Sequence, residues 1–424
     1  MNHVPKQQPV VPFVSIGVLF MMLGGVYTIQ SSISMLTLQS LPALLRSQGI
    51  ATDKIGLVYL LMLPWALKFL WSPFVERFRK TGHGDNHARL LLLIGGGLIT
   101  ILFMIVAYLD QAHQVAPIFI GLIFITFVLT VVDTAADGFA IDKLTIKQRP
   151  WANMVQVGGS YFGTLLGSGL FLYLIALYSW WHGIMMLALT TLLLSAPAWF
   201  IKRSPQIKHV STINQSSTNI PSLKQAIKRP RVRRALILIL LCMVGTRISL
   251  AMMMPYLIDK GINLAELGIL AASGGALAGL IGVVIGGPLV RYLGASISLI
   301  WILLFEAVLF GVFIYSSWQT VLPFYFIASL FVIASLITAI KFVTLYTLLM
   351  GYAAGKQPGV DFALMQSTDM MIAIICSILS GIVVTQWSYS VLFIISATFT
   401  IIAFIYCFVV KINNEMNNRV ITNE

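Results

Sequence analysis

The sequence predicts an all-α integral membrane protein whose twelve transmembrane helices form two six-helix pseudo-repeats. Three observations carry that prediction. Charged residues are 10% of the chain and hydrophobic ones 58%, whereas a soluble domain carries about 25% charged residues; the mean hydropathy is +0.91. Apolar stretches near the ~20 residues that cross a bilayer as a helix recur twelve times. The two halves of the chain also repeat each other's local motifs in the same order.

The predicted spans lie near 13–36, 55–75, 90–109, 116–139, 153–175, 181–201, 235–257, 266–290, 296–316, 321–349, 362–384 and 390–410. Most links between them are short, for example 110–115 and 316–320, and leave no room for a soluble domain. The one long polar stretch, 202–234, contains QSSTN and KRPRVRR and divides the chain. The expected organisation is an N-terminal half over 1–201, a basic linker over 202–234 and a C-terminal half over 235–424. The polar start Met1–Pro12, with no small-residue cleavage site behind a short apolar core, predicts no cleavable signal.

Orientation follows from lysine and arginine. If both termini are cytoplasmic, 21 of the 27 basic residues fall on the cytoplasmic side and three (Arg46, Lys54, Lys260) on the other, with Lys68, Arg247 and Lys341 inside spans. Positive residues stay on the inner side of a membrane. The net charge of +13 therefore reflects topology, and nucleic-acid binding is not expected.

The repeat shows in three places. LPALLRSQGIATDKIG (41–56) matches MPYLIDKGINLAELG (254–268), setting span 1 over span 7 and span 2 over span 8. WSPFVERF (71–78) stands where GGPLVRYLG (286–294) stands. KQRPWANMVQ (147–156) matches KQPGVDFALMQ (356–366), aligning Gln156 with Gln366. Parallel repeats of six helices are one way transporter folds are built.

The residues also carry a family resemblance. ALKFLWSPFVERF (66–78) resembles the end of the second helix and the following loop of major facilitator transporters, whose pattern is Gly-x-x-x-Asp-Arg-x-Gly-Arg-Lys. Ser72 replaces the glycine and Glu76 the aspartate, while Arg77 keeps the basic position. The KFLWSP form is similar to the subgroup of muropeptide permeases, acetyl-CoA transporters and inner-membrane siderophore importers of the pyochelin and rhizobactin type. VDTAADGFAID followed by RPWANMVQVGGSYFG looks most like the siderophore importers, and the chain is shorter than muropeptide permeases tend to be. The resemblance implies that spans 1, 4, 7 and 10 line a central cavity. It also implies that Glu76 and Arg77 latch the halves when the cytoplasmic side is closed.

Ionisable residues in a bilayer are costly and default to functional candidates. Asp133 and Asp137 on span 4 are four residues apart and share one helix face. Two neighbouring carboxylates in a low-dielectric cavity repel each other, so they are the expected proton-coupling pair. Arg247 on span 7 and Lys341 on span 10 offer cations to an anionic substrate; the arginine fork suits carboxylate, catecholate or phosphate groups. They are equally placed to neutralise Asp133 and Asp137 across the interface. Tyr27, Gln30 and Ser34 form one polar stripe on span 1. Gln156 and Tyr161 on span 5, and Gln366 and Asp369 on span 11, begin the matched helices. Lys68, between Trp65 and Trp71, reads as a side chain snorkelling to the interface. Glu306, on a span that the resemblance makes peripheral, has no assigned role. Small residues at Gly159, Gly163 and Gly167 make a close-packing face.

No metal, cofactor or catalytic constellation is expected. Cys242, Cys376 and Cys407 lie far apart in apolar runs, and the six histidines fall in tails, loops or span ends. The resulting expectation is a monomeric transporter of a bacterial inner membrane. It would import an anionic organic solute such as a ferric siderophore, coupled to protons. Alternatives are a muropeptide or acyl-CoA permease, a drug or metabolite exporter and, remotely, a membrane enzyme.

Overall fold

The computed structural model describes residues 16–79, 87–109, 115–143, 149–200, 227–320, 322–353 and 358–422. Their regular structure is helical throughout. Span 1 is α1 (Ile16–Met35), a π-turn (Leu36–Ser40) and α2 (Leu41–Ser47). Span 2 is α3 (Thr52–Gly56), α4 (Leu63–Leu67) and α5 (Ser72–Arg79), joined by 3₁₀ turns. Spans 3 and 4 are α6 (Ala88–Ala107) and α7 (Val115–Lys143). Span 5 is α8 (Arg149–Thr164), a π-turn (Leu165–Leu170) and α9 (Phe171–Leu177), and span 6 is α10 (Trp180–Ser195). After the linker, span 7 is α11 (Pro230–Asp259). Span 8 is α12 (Leu264–Leu270), a π-turn (Ala271–Leu277) and α13 (Ala278–Leu293). Spans 9 to 12 are α14 (Ala295–Trp318), α15 (Phe324–Ala353), α16 (Pro358–Gln386) and α17 (Tyr389–Thr422).

Eleven helical stretches among the described residues are long and apolar enough to cross a membrane. The stretch expected at 55–75 is not one of them. It is helical but broken into short turns, and Pro64 opens one of the restarts, the first-turn position where its missing backbone donor costs least. The expected start of span 1 at 13–15 and most of the linker lie outside the described residues.

The repeated motif folds the same way twice. Gly49 (φ 79°) and Gly261 (φ 92°) both take the left-handed conformation, which glycine adopts without a Cβ clash. Each ends a helix with the same bond across six residues: Ile50 N donates to Leu45 O at 3.0 Å, and Ile262 N to Leu257 O at 3.2 Å. Span 8 then starts on a reciprocal cap, with Glu266 N donating to the Asn263 side chain at 2.9 Å and Asn263 N to the Glu266 carboxylate at 3.1 Å.

Each half has its own buried apolar cluster. The C-terminal cluster also takes in Ala43, Ile55, Tyr59, Met62, Ala66 and Leu172 from the first half, so the seam is packed there. The small face of span 5 lies on span 1. A Cβ at Gly159 would meet Gly24 O at 2.8 Å, and one at Gly163 or Gly167 would overlap the carbonyls of Thr28 or Ser32. The π-turn of span 5 lies against those of spans 1 and 8; Ser40 Oγ donates to Gly167 O at 2.8 Å, and a Cβ at Gly169 would sit 2.6 Å from that of Ala272.

Candidate functional site

Three elements of the N-terminal half converge. Span 4 contributes Asp133, buried at 2% exposure, and Asp137 one turn further on. Span 2 contributes Lys68, whose Nζ lies 3.4 Å from Asp133 Oδ2 and 4.4 Å from the centre of the Trp65 ring. Span 1 contributes Tyr27, whose hydroxyl donates to Asp137 Oδ1. Trp71 Nε1 donates to Thr130 Oγ1 at 3.0 Å and ties span 2 to span 4 beside the cluster. Lys68 is thus an internal counter-ion, not the snorkelling side chain its tryptophan neighbours imply. The broken geometry of span 2 turns it towards span 4.

The C-terminal half holds two further ion pairs. Arg247 grips Asp369 with both arms of its fork, Nε to Oδ1 at 3.0 Å and Nη2 to Oδ2 at 2.5 Å. Tyr346 Oη donates to the same carboxylate at 2.9 Å, and the guanidinium lies 5.1 Å from the Phe342 ring centre. Next to Arg247 on the chain, Thr246 faces the other way. Its hydroxyl donates to Glu306 Oε1 at 2.7 Å and accepts from Lys341 Nζ at 2.6 Å, while Lys341 Nζ meets Glu306 Oε2 at 2.5 Å.

Lys341, expected as a substrate contact, is fully buried, with its ammonium taken up by Glu306 and Thr246, so in this state it joins spans 7, 9 and 10. Arg247 and Lys341 do not neutralise Asp133 and Asp137 across the interface, because each cluster is closed within its own half. Asp369 is 3% exposed and serves as the partner of Arg247 in this state.

The remaining expected residues are more dispersed. Gln30 and Ser34 are half-buried on span 1, and Gln30 Oε1 is buried with no hydrogen-bond partner among the described residues. Tyr161 stands at the seam, its ring 2.7 Å from where a Cβ on Gly279 of span 8 would lie. Gln156 and Gln366 are half-buried on spans 5 and 11. Glu76 and Arg77 lie on α5, but their side chains are outside the described set.

Sequence reasoning gave Glu306 no role and did not single out Thr246 or Tyr346. The signal for Glu306 was available: a carboxylate buried in a bilayer needs a cationic partner, and only three basic residues lie inside spans. Thr246 and Tyr346 gave no such signal.

The seam between the halves is bonded at the pole away from the linker. Arg46 Nε donates to Asp259 Oδ1 at 2.6 Å, and Tyr389 Oη to Asp259 Oδ2 at 2.7 Å. Thr52 and Thr385 share a hydrogen bond of 2.7 Å, and Ser377 Oγ donates to Gly56 O at 3.0 Å. Among the described residues, the hydrogen bonds between the halves gather here. No group of His, Cys, Asp and Glu able to hold a metal occurs among the described residues.

Comparison with known proteins agrees with this architecture. The chain is 25% identical to the anhydromuropeptide permease of Escherichia coli (strain K12) over 61% of its own length and 52% of the permease. It is 22% identical to a transporter named AmpG 3 in Rickettsia prowazekii (strain Madrid E), over 86% of the chain and 89% of that protein. The chain spans about half to two thirds of the length of the first curated relatives it matches. A crystal structure of a POT family transporter in complex with a thioalcohol-conjugated peptide superposes with a TM-score of 0.69 at 13% identity, covering 94% of this chain and 96% of that one; it shows the fold alone. The family model described as Major Facilitator Superfamily matches residues 19–364. The protein is a multi-pass membrane transporter that belongs to the major facilitator superfamily.

Proposed function

We propose that the protein is a proton-coupled importer of a carboxylate-bearing, muropeptide-type solute. It acts as a monomer in a bacterial inner membrane with both termini cytoplasmic. The observation that carries the coupling is an imbalance. Arg247 with Asp369, and Lys341 with Glu306, are each balanced pairs, whereas Asp133 and Asp137 share one described cation, Lys68. The described partner of Asp137 is a phenol. An uncompensated carboxylate is expensive in a bilayer, so Asp137 is the group placed to take up a proton on one side and release it on the other.

Arg247 is the proposed anchor for the solute. A substrate carboxylate of the right geometry replaces Asp369 on the guanidinium fork, and Asp369 keeps its bond from Tyr346. Such an exchange keeps the buried guanidinium paired, while Asp369 is left with the phenol and no cation. The seam closed by Arg46, Asp259 and Tyr389 makes this the state shut towards the outside. The relatives named for anhydromuropeptides and AmpG support a muropeptide cargo over the ferric siderophore that the local motifs bring to mind.

The test is uptake into proteoliposomes. Labelled anhydromuropeptide should accumulate under an inside-alkaline gradient and stop when a protonophore is added. Uptake of a ferric siderophore without uptake of the muropeptide would overturn the cargo. Accumulation that ignores the protonophore would overturn the coupling.

A further inference from the structure

A pit of about 360 Å³ opens on the outer pole, away from the ion pairs inside the bilayer. That volume is within the ~300–1,000 Å³ of small-molecule sites. The seam runs through it: Arg46, Ala51 and Thr52 come from the first half, and Ser317, Val384, Thr385, Ser388, Tyr389 and Ser390 from the second. Its chemistry is uniform, with six hydroxyls around one guanidinium. Thr52 is bonded to Thr385, and Ser317 to Ser390, each at 2.7 Å, so the hydroxyls are fixed in pairs that still offer free lone pairs.

Arg46 is the charged member. Its Nε is engaged by Asp259 and its Nη1 donates to Ile50 O at 3.2 Å. The Arg46 and Asp259 side chains are 27% and 26% exposed. Solvent therefore reaches the ion pair, and an incoming carboxylate can compete with Asp259 for the fork. Lys260 adds a second cation nearby, held on Ser317 O at 3.4 Å and Gln319 O at 2.5 Å.

We propose that this pit is a second, outward-facing binding site for a sugar acid, a hydroxylated ring bearing one carboxylate. The ring hydroxyls exchange hydrogen bonds with Ser317, Thr385, Ser388 and Ser390. The carboxylate takes Asp259's place on Arg46. Because that ion pair joins the two halves, occupancy loosens the outer seam. That the ligand here is also the transported solute rests on the function proposed above; the binding chemistry does not.

The experiment is calorimetric titration of the full-length protein in nanodiscs with N-acetylmuramic acid, and with N-acetylglucosamine as the same ring lacking the carboxylate. The acid should bind roughly tenfold or more tighter, the weight of one charge-assisted pair. Arg46→Ala should erase that preference, and Arg46→Lys should keep part of it. Asp259→Asn should tighten the acid several-fold by removing its competitor, whereas a purely structural pair would make that variant bind less. Ser390→Ala should weaken both sugars. Equal binding of the two sugars by the native protein, or weaker acid binding in Asp259→Asn, would overturn the site. So would acid binding that survives Arg46→Ala but is lost in Arg247→Ala, because it would place the ligand at the central arginine. Failure of the transport reading is separable: it would appear as uptake indifferent to Arg247 and Asp137, with these titrations unchanged.

Discussion

Lys341 Nζ lies 2.5 Å from Glu306 Oε2 in the buried interior of the C-terminal half, and Thr246 bonds to both. Two residues that the sequence shows as isolated charges on separate spans are one closed unit. Removing one member of a buried pair leaves the other uncompensated, at a cost of about 3–5 kcal/mol. Glu306→Gln should therefore lower the thermal midpoint of the purified protein sharply. The double change Glu306→Leu with Lys341→Met should recover most of that loss. If the single variant melts like the native protein, the pair is not structural.

Arg247 presents a different expectation. Arg247→Lys keeps the charge but not the two-armed grip. Substrate affinity should fall by roughly tenfold, one lost charge-assisted bond, while the melting temperature changes little. Lys341→Met should show the reverse, a stability loss with affinity largely retained in the molecules that stay folded. Affinity measured on both variants distinguishes an anchor from a packing pair.

The span 1–span 5 contact is also testable. Gly167→Ala pushes a methyl into the Ser32 backbone, whereas Gly158 has open space beside it. Overpacking costs about 1–3 kcal/mol, so Gly167→Ala should destabilise measurably and Gly158→Ala should not. Equal melting of the two variants would contradict the packing described.

At the outer pole, loss of the Arg46–Asp259 bond should shift the population towards a state open to the outside. A Thr385→Cys reporter should then react faster with a membrane-impermeant thiol reagent when Arg46 is replaced by Ala. The reporter rate in the native background sets the comparison. An unchanged rate would mean that the pair does not hold the seam.

The fold was legible because bilayer physics is simple: length, apolarity and the placement of basic residues decide it. The repeat was legible in Gly49–Ile50 and Gly261–Ile262, since one turn requires the same residue types twice. Span 2 is helical as expected at 55–75, but apolar composition does not register the breaks between its short turns. Asp133, Asp137 and Arg247 stood out as intramembrane charges, but their partners did not. Lys68, Asp369 and Tyr346 reach them from distant spans, and which face of each helix turns inward depends on packing that no local pattern encodes. Lys341 shows what span number alone does not carry: its partners in this state are Glu306 and Thr246, on spans 9 and 7.

The central claim is that Asp137 carries the coupled proton. Its most direct test compares native protein and Asp137→Asn in proteoliposomes, measuring both gradient-driven accumulation and solute exchange at equilibrium with the same labelled anhydromuropeptide. Asp137→Asn should exchange solute at close to the native rate but fail to accumulate it against a gradient when the pH difference is imposed. Accumulation equal to that of the native protein would contradict the account and remove Asp137 from the coupling.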